Sequence, residues 1–251
     1  GEASSRSDIS LPECQRDLLK ALLATRKPVV MVLFSGRPLT IPWEAAHVPA
    51  ILTVWYPGTE AGHAIADVLF GTVNPSGKLS ATWPQNVGQI PLFYNHKNTG
   101  RPLAPGTWFQ KFQSNYLDIP NEPLFPFGYG LSYTTFTYGD LKISKEQLSG
   151  EDTLTVSVDL TNAGPYDGAE VVQLYIRDLV GSVTRPVKEL KGFRKVFLKA
   201  GETQTIAFII TPEDLKFYNY DLEYDWEPGD FDIMVGSNSA DVKSARISWQ
   251  R

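Results

Sequence analysis

Trp55 closes the apolar run Ala50-Ile51-Leu52-Thr53-Val54-Trp55 just before the turn Tyr56-Pro57-Gly58. That is the rim of an α/β sheet, where such folds gather their sites. An indole there can stack on a sugar ring or fill a core or an interface. Glu60 and His63 follow in the first turn of the next helix, where the dipole alone explains an acid. His47, His63 and His96 are scattered without ligand spacing, so no metal site is expected, and no cofactor. Cys14 is the only thiol, excludes an intrachain disulfide, and reads as a small buried hydrophobe on a helix stripe. The acids Asp118, Glu122, Asp221, Glu223 and Asp225 read as solvated faces, and Tyr218 to Trp226 as an aromatic loop docked on a neighbouring domain. Trp43, Trp83 and Trp108 suit an interface with another domain.

The elements that must position these groups are of two kinds. Ser10-Leu11-Pro12-Glu13 has the form of a capping box, and Cys14, Leu18 and Leu22, with Leu19 and Leu23 beside them, give a helix with an apolar stripe. Pro28 to Phe34 is a continuous β-branched run ended by Ser35-Gly36-Arg37-Pro38. A short helix over Ile41 to His47, the Ala50–Trp55 strand and a helix from Thr59 to Phe70 with Gly71 as its cap follow. This is α/β wiring. Two buried strands are too few for a sheet covered on both faces, so further strands are expected upstream. The start at Gly1-Glu2-Ala3, without methionine or signal peptide, likewise reads as that of an excised piece.

From Gln85 to Pro123 periodicity lapses over roughly 40 residues, which implies a functional segment or one wrapped over another surface. Beyond Ser132 the pattern is all-β. Strands are expected over 136–144, 153–162, 169–178, 187–198, 203–211, 231–236 and 242–249, with Val171, Leu174 and Ile176 in the core. Turn signals between them indicate an immunoglobulin-like or fibronectin type III-like sandwich. The fold class is therefore α/β plus all-β: a partial α/β sandwich over 1–95, an irregular connecting segment over 96–123, and a fibronectin type III-like β-sandwich over 124–251.

The 251 residues, 42% hydrophobic and 20% charged with a net charge of −5, are globular in composition. Charges of both signs are interspersed without a basic stripe, which argues against nucleic acid and anionic membrane as partners. The longest apolar run is strand-sized, well short of the roughly 20 residues of a membrane span.

Five segments carry a resemblance: Gly1-Glu2-Ala3-Ser4-Ser5-Arg6-Ser7-Asp8-Ile9 with Leu11-Pro12; Trp55 to Gly62; Gly71 with Asn74-Pro75-Ser76-Gly77-Lys78-Leu79; Pro126-Phe127-Gly128-Tyr129-Gly130-Leu131-Ser132-Tyr133; and Arg185-Pro186-Val187-Lys188-Glu189-Leu190-Lys191-Gly192-Phe193. Together, in this order, they resemble the C-terminal portion of family 3 glycoside hydrolases, particularly bacterial periplasmic β-glucosidases. The resemblance implies a retaining β-glucosidase acting on terminal β-D-glucosyl residues of a glycoside or oligosaccharide, in the periplasm or secreted. It implies that an N-terminal (β/α)8 barrel, which carries the aspartate nucleophile, lies outside this chain, and that the chain alone is inactive.

Retaining hydrolysis needs two carboxyl groups about 5 Å apart. The resemblance makes Glu2 the one candidate here for the acid/base, with a loop-ordering role or an ordinary terminal charge as alternatives. Arg6 can hold such a carboxylate by a charge-assisted bond or serve as a solvated helix-entry charge. Arg6 and Trp55 are the candidate substrate-binding residues. A second class of function is a non-catalytic carbohydrate-binding or interaction module. It would be favoured by a row of exposed aromatics on one sheet face, which the strand patterns do not show. A truncated sheet also leaves an open edge, so its cover by self-association or by additional chain is expected.

Overall fold

The computed structural model describes residues 3–104 and 106–251. Its front part runs α1 (Glu13–Ala24), β1 (Val30–Leu33), α2 (Pro42–His47), β2 (Ala50–Thr53) and α3 (Ala61–Leu69). β1 and β2 pair in parallel, from Val30 opposite Ala50 to Leu33 opposite Thr53, with α2 in the crossover that parallel pairing requires. Leu11, Met31, Leu33, Ile41, Val48 and Trp83 form the buried cluster between these elements. Gly71, at φ +77°, ends α3 by donating its N–H to Val68 O, a conformation that suits glycine.

Three expectations for this part are corrected. Ser10 does not cap α1: its N–H and hydroxyl both donate to the Asp8 carboxylate, at 2.9 and 2.7 Å, and Pro12 takes the cap position. Cys14 is exposed, as are Leu18 and Leu22, because α1 turns its neighbouring row, Leu19 and Leu23, toward the cluster. Trp83 is 1% exposed and belongs to the core rather than to an outer interface; its main chain pairs with Phe125.

Among the described residues the only helical turn between Gln85 and Pro123 is Val87–Gln89. The buried Gln89 amide closes the base of this segment. It donates to Pro120 O and Glu122 O and accepts from Gln85 N–H. Phe93, Trp108, Phe109 and Phe112 remain exposed along it.

The β part comprises β3 (Phe136–Tyr138), β4 (Lys142–Ile143), β5 (Gln147–Ser149), β6 (Leu154–Asn162), β7 (Gly168–Asp178), β8 (Glu189–Leu198), β9 (Thr203–Ile210), α4 (Pro212–Leu215), β10 (Phe217–Tyr218), β11 (Tyr224–Asp225), β12 (Gly229–Gly236) and β13 (Val242–Gln250). One sheet has the order β5-β13-β12-β7-β8; the other joins β3, β4 and β9 to β6. Alternation works as expected in β6, whose Leu154, Val156, Val158 and Leu160 are buried against Leu174, Ile176, Ile233 and Trp249 of the facing sheet. Several details differ. The 136–144 strand breaks at Gly139, which packs on Asp159. Val172 rather than Val171 faces the core. Residues 217–225 form a hairpin whose Tyr218, Tyr220 and Tyr224 are exposed, while Phe217 is buried and Trp226, just beyond it, enters the core against Trp249. Phe193 and Phe197 are also exposed on one side of β8, so a sheet face does carry aromatics.

The segment Asn74 to Leu79 joins the two parts. Asn74 Oδ1 accepts from Ser132 Oγ and Tyr133 N–H, both at 2.8 Å, and its Nδ2 donates to Asp167 O. Leu79 N–H donates to Tyr129 O and Gly128 N–H to Leu79 O. At Gly130 a Cβ would stand 2.4 Å from Gly77 O, so only glycine permits this approach. Gly130→Ala is expected to cost about 1–3 kcal/mol in denaturant unfolding through this clash with main chain. An unchanged midpoint would show that the joint yields freely.

Candidate functional site

The loops that leave the C-terminal ends of β1 and β2 meet the N-terminal segment at one rim. After β1, the buried Ser35 donates its hydroxyl to Arg37 O at 2.6 Å and tightens the Phe34–Pro38 turn. Arg37 then reaches the N-terminal segment, its Nη2 donating to Ser5 Oγ at 3.2 Å. Thr40 N–H donates to Ile9 O, and Ser10 bridges Thr40, so the segment is anchored along its length.

After β2, Val54 N–H donates to Leu33 O and the chain turns at Trp55, which has φ +53°. That left-handed conformation, uncommon for a large residue, sends successive side chains to different places. The Trp55 indole packs on Trp83 with ring centroids 5.7 Å apart. Tyr56 is exposed and lies over Gly36, where a Cβ would meet its ring at 2.7 Å. Glu60 occupies the N-cap of α3 without a capping hydrogen bond, and His63 is exposed on the helix.

Arg6 is exposed on the N-terminal segment, and Glu2 lies outside the described residues. Asp8 is held below the usual carboxylate range, first by the Ser10 N–H and hydroxyl, then by Arg6 and Arg16. Its carboxylate is committed to shaping the segment. The described rim therefore offers Ser5, Arg6, Arg37 and Tyr56, which are groups for binding and orienting rather than a pair of free carboxylates. Among the described residues no three His, Cys, Asp or Glu side chains gather as metal ligands would. Among the described residues no helix is long and apolar enough to cross a membrane.

Sequence reasoning missed Arg37, whose segment it treated only as a strand stop, and took Tyr56 only as part of a resembling segment without a role of its own. Their place directly after two buried strands was the available signal. It also missed Glu44, which is fully buried in α2 and receives Arg16 Nε of α1 at 2.8 Å, beneath this rim. Removing one partner of such a pair strands the other charge. Arg16→Ala is expected to lower stability by about 3 kcal/mol, measured by urea unfolding, whereas Arg16→Ala with Glu44→Gln should recover most of the loss. A single variant as stable as the parent would contradict the assignment.

Between β2, α3 and the Phe125–Tyr133 stretch runs an apolar groove of about 660 Å³, lined by Ile51, Trp55, Val68, Leu79, Tyr129 and Leu131 among others. Tyr133 closes one side, donating its hydroxyl to Val68 O near the end of α3.

Comparison with known proteins places this geometry. Residues 1–133 match the model of the glycosyl hydrolase family 3 C-terminal domain, and residues 170–239 that of a fibronectin type III-like domain. The chain is 52% identical over 242 residues to a periplasmic beta-glucosidase of Salmonella typhimurium, covering 96% of this chain and 32% of that protein. It is 45% identical to a beta-xylosidase of Formosa agariphila, covering 99% of this chain and 34% of the relative. A crystal structure of a beta-glucosidase from Listeria innocua in complex with gluconolactone superposes with a TM-score of 0.95 at 46% identity, covering 100% of this chain and 35% of that one. The chain thus spans about a third of the length of the curated relatives it matches. With more than half of its residues inside the first match, it belongs to the glycosyl hydrolase family 3 C-terminal domain family.

Proposed function

We propose that this chain is the C-terminal part of a retaining β-glucosidase that hydrolyses terminal β-D-glucosyl residues of oligosaccharides or glycosides. The observation that carries the reading is its whole-length likeness to beta-glucosidases three times as long, with loops gathered at the strand ends. In this reading residues 1–95 are the later part of an α/β sandwich, 96–123 a connecting segment and 124–251 a fibronectin type III-like domain. A (β/α)8 barrel outside these residues supplies the nucleophilic carboxylate and most of the glucose pocket. Its partners are that barrel and a β-glucoside, and its setting is the periplasm or the exterior.

The rim contributes the second half of the chemistry. Glu2, on the segment that Arg37 and Thr40 anchor, protonates the leaving oxygen and then activates water, or orders the loop that does so. Arg6 holds the carboxylate in its ionised phase by a charge-assisted bond. Trp55 serves the sugar subsite by fixing the loop that presents Tyr56 over Gly36. Proton NMR of the first sugar released by the full gene product from an aryl β-glucoside tests the reaction class. The β-anomer is expected first; the α-anomer, or no release, would overturn the reading.

The same reading has a consequence for the chain alone. Among the described residues β1 and β2 form a sheet of two strands, Val30 and Phe34 are exposed, and the apolar groove opens beside them. Unpaired strand edges and apolar faces associate. Light scattering after size exclusion should show dimers or larger species whose proportion rises with concentration. A monomer at every concentration would contradict this.

A further inference from the structure

The joint between the two parts covers only a portion of the sheet it sits on. In β7, Val172, Leu174 and Ile176 face the core, so Val171, Gln173 and Tyr175 point outward. Gln173 and Tyr175 are nonetheless 3% and 0% exposed. Gln173 Nε2 donates to Gly128 O at 3.1 Å, and a Cβ at Gly128 would strike the same amide. Tyr94 stacks on Phe127 at 4.3 Å, meets Tyr175 edge-on at 5.9 Å and accepts from Leu190 N–H. Tyr94, Phe127 and Gly128 thus seal this stretch of the outward face.

One strand over, the seal stops. Phe193 of β8 lies directly opposite Gln173, and Phe197 opposite Ala169. Both rings point outward, because Gly192 faces Leu174 and Phe208 while Val196 and Leu198 pack on the core. They are 65% and 61% exposed. Lys195 stands between them, opposite Val171, exposed and in no ion pair among the described residues. β8 is the outermost strand of its sheet. A pair of aromatic rings on a sheet face, flanked by charge, is the form of an interaction surface.

Two observations say what covers the strip. It continues the joint without a break, since the sealed Gln173 is the cross-strand partner of the open Phe193. A body seated on Phe193 therefore borders the front part as well. The relatives are about three times as long as this chain, so they carry such a body outside the matched residues. A second copy of the chain fits poorly. A two-fold contact centred on the strip would set Lys195 against its own counterpart, and like charges drawn out of water repel. A different surface that offers a carboxylate meets Lys195 without that penalty.

We propose that polypeptide preceding Gly1 in the parent protein covers Phe193 and Phe197 and sets a carboxylate against Lys195. This rests on the premise of the β-glucosidase reading that further chain precedes these residues, and on nothing else in it. The test is hydroxyl-radical footprinting with mass spectrometry, on the 251-residue chain and on a gene product extended by the proposed barrel. Phe193 and Phe197 should oxidise about tenfold more slowly in the extended protein, as interface cores exclude solvent. Lys195→Glu should raise their oxidation severalfold there and leave it unchanged in the 251-residue chain. Equal oxidation in the two proteins would overturn the proposal. So would protection that appears in the 251-residue chain by itself as its concentration rises, which would assign the strip to a second copy. Protection indifferent to Lys195→Glu would overturn the carboxylate contact. Turnover of an aryl β-glucoside by the same extended protein is scored separately. Activity with both rings freely oxidised sinks the proposal and leaves the β-glucosidase reading standing; protection without activity does the reverse.

Discussion

Glu2→Gln, made in a gene product that includes the barrel, is expected to lower kcat on an alkyl β-glucoside by about 10²–10⁴-fold. The loss in kcat/KM, which reads the first step, should be far smaller on an aryl glucoside with an acidic phenol, whose departure needs little proton donation. Azide should restore turnover by replacing the missing base in the second step and should yield a β-glucosyl azide. These signatures separate a proton-transfer role from loop ordering. A loop-ordering glutamate would show similar losses on both substrates and no rescue. Arg37→Ala addresses the same segment from beneath, because it removes the hydrogen bond to Ser5 while leaving Glu2 intact. In an acid/base assignment it raises KM and lowers kcat together, without azide rescue.

Lys78→Ala should be the most destabilising single change at the joint between the two parts. Lys78 Nζ lies 2.8 Å from Glu170 Oε1, with the two side chains 12% and 6% exposed, and also donates to Gly130 O. Tyr138 donates its hydroxyl to the same carboxylate, and burial together with Glu170 pushes its own ionisation far above the ordinary tyrosine value. Removing the ammonium leaves Glu170 buried with one hydroxyl for company, at a cost of about 3–5 kcal/mol. For a chain of this length that is a fall in Tm of roughly 10 °C. Lys78→Met with Glu170→Leu should recover most of the loss, since an apolar pair of similar volume carries no desolvation penalty. Equal stability of Lys78→Ala and the parent would show that solvent reaches the site and that the joint is looser than its geometry.

The joint also explains why certain short motifs were informative. Asn74 to Leu79 and Pro126 to Tyr133 carried a resemblance in sequence, yet their spacing gave no physical reason for their composition. In the structure Asn74 serves three partners, Gly130 lies against Gly77, and Lys78 crosses to Glu170. α3 then links this joint to the loop bearing Trp55 and Tyr56, so docking of the sandwich can hold the rim in place.

Legibility followed the range of the interactions. β6 was readable because alternation is local and the turns between strands carry glycine and proline, whereas β7, buried over Val172 to Ile176 on both faces, was placed in span but not in facing. The orientation of α1 was not, because Cys14-Leu18-Leu22 and Leu19-Leu23 are both apolar rows and only the partner decides between them. Trp83 posed the same difficulty, as an aromatic suits a core and an interface equally. The Arg16–Glu44 pair joins residues 28 positions apart, beyond any local pattern. At the rim, Arg6 and Trp55 were candidates from resemblance and position alone, whereas the placement of Arg37 and Tyr56 there is seen only once Gly36 lets the two strand-end loops touch.

In the proposed function this polypeptide supports a hydrolytic site whose nucleophile is supplied from elsewhere. Purified by itself and incubated with an aryl β-glucoside, the 251-residue chain should release no phenol above the buffer rate. A gene product extended by the proposed barrel should turn the same substrate over at ordinary enzymatic rates. Comparable turnover by the two would contradict the account outright.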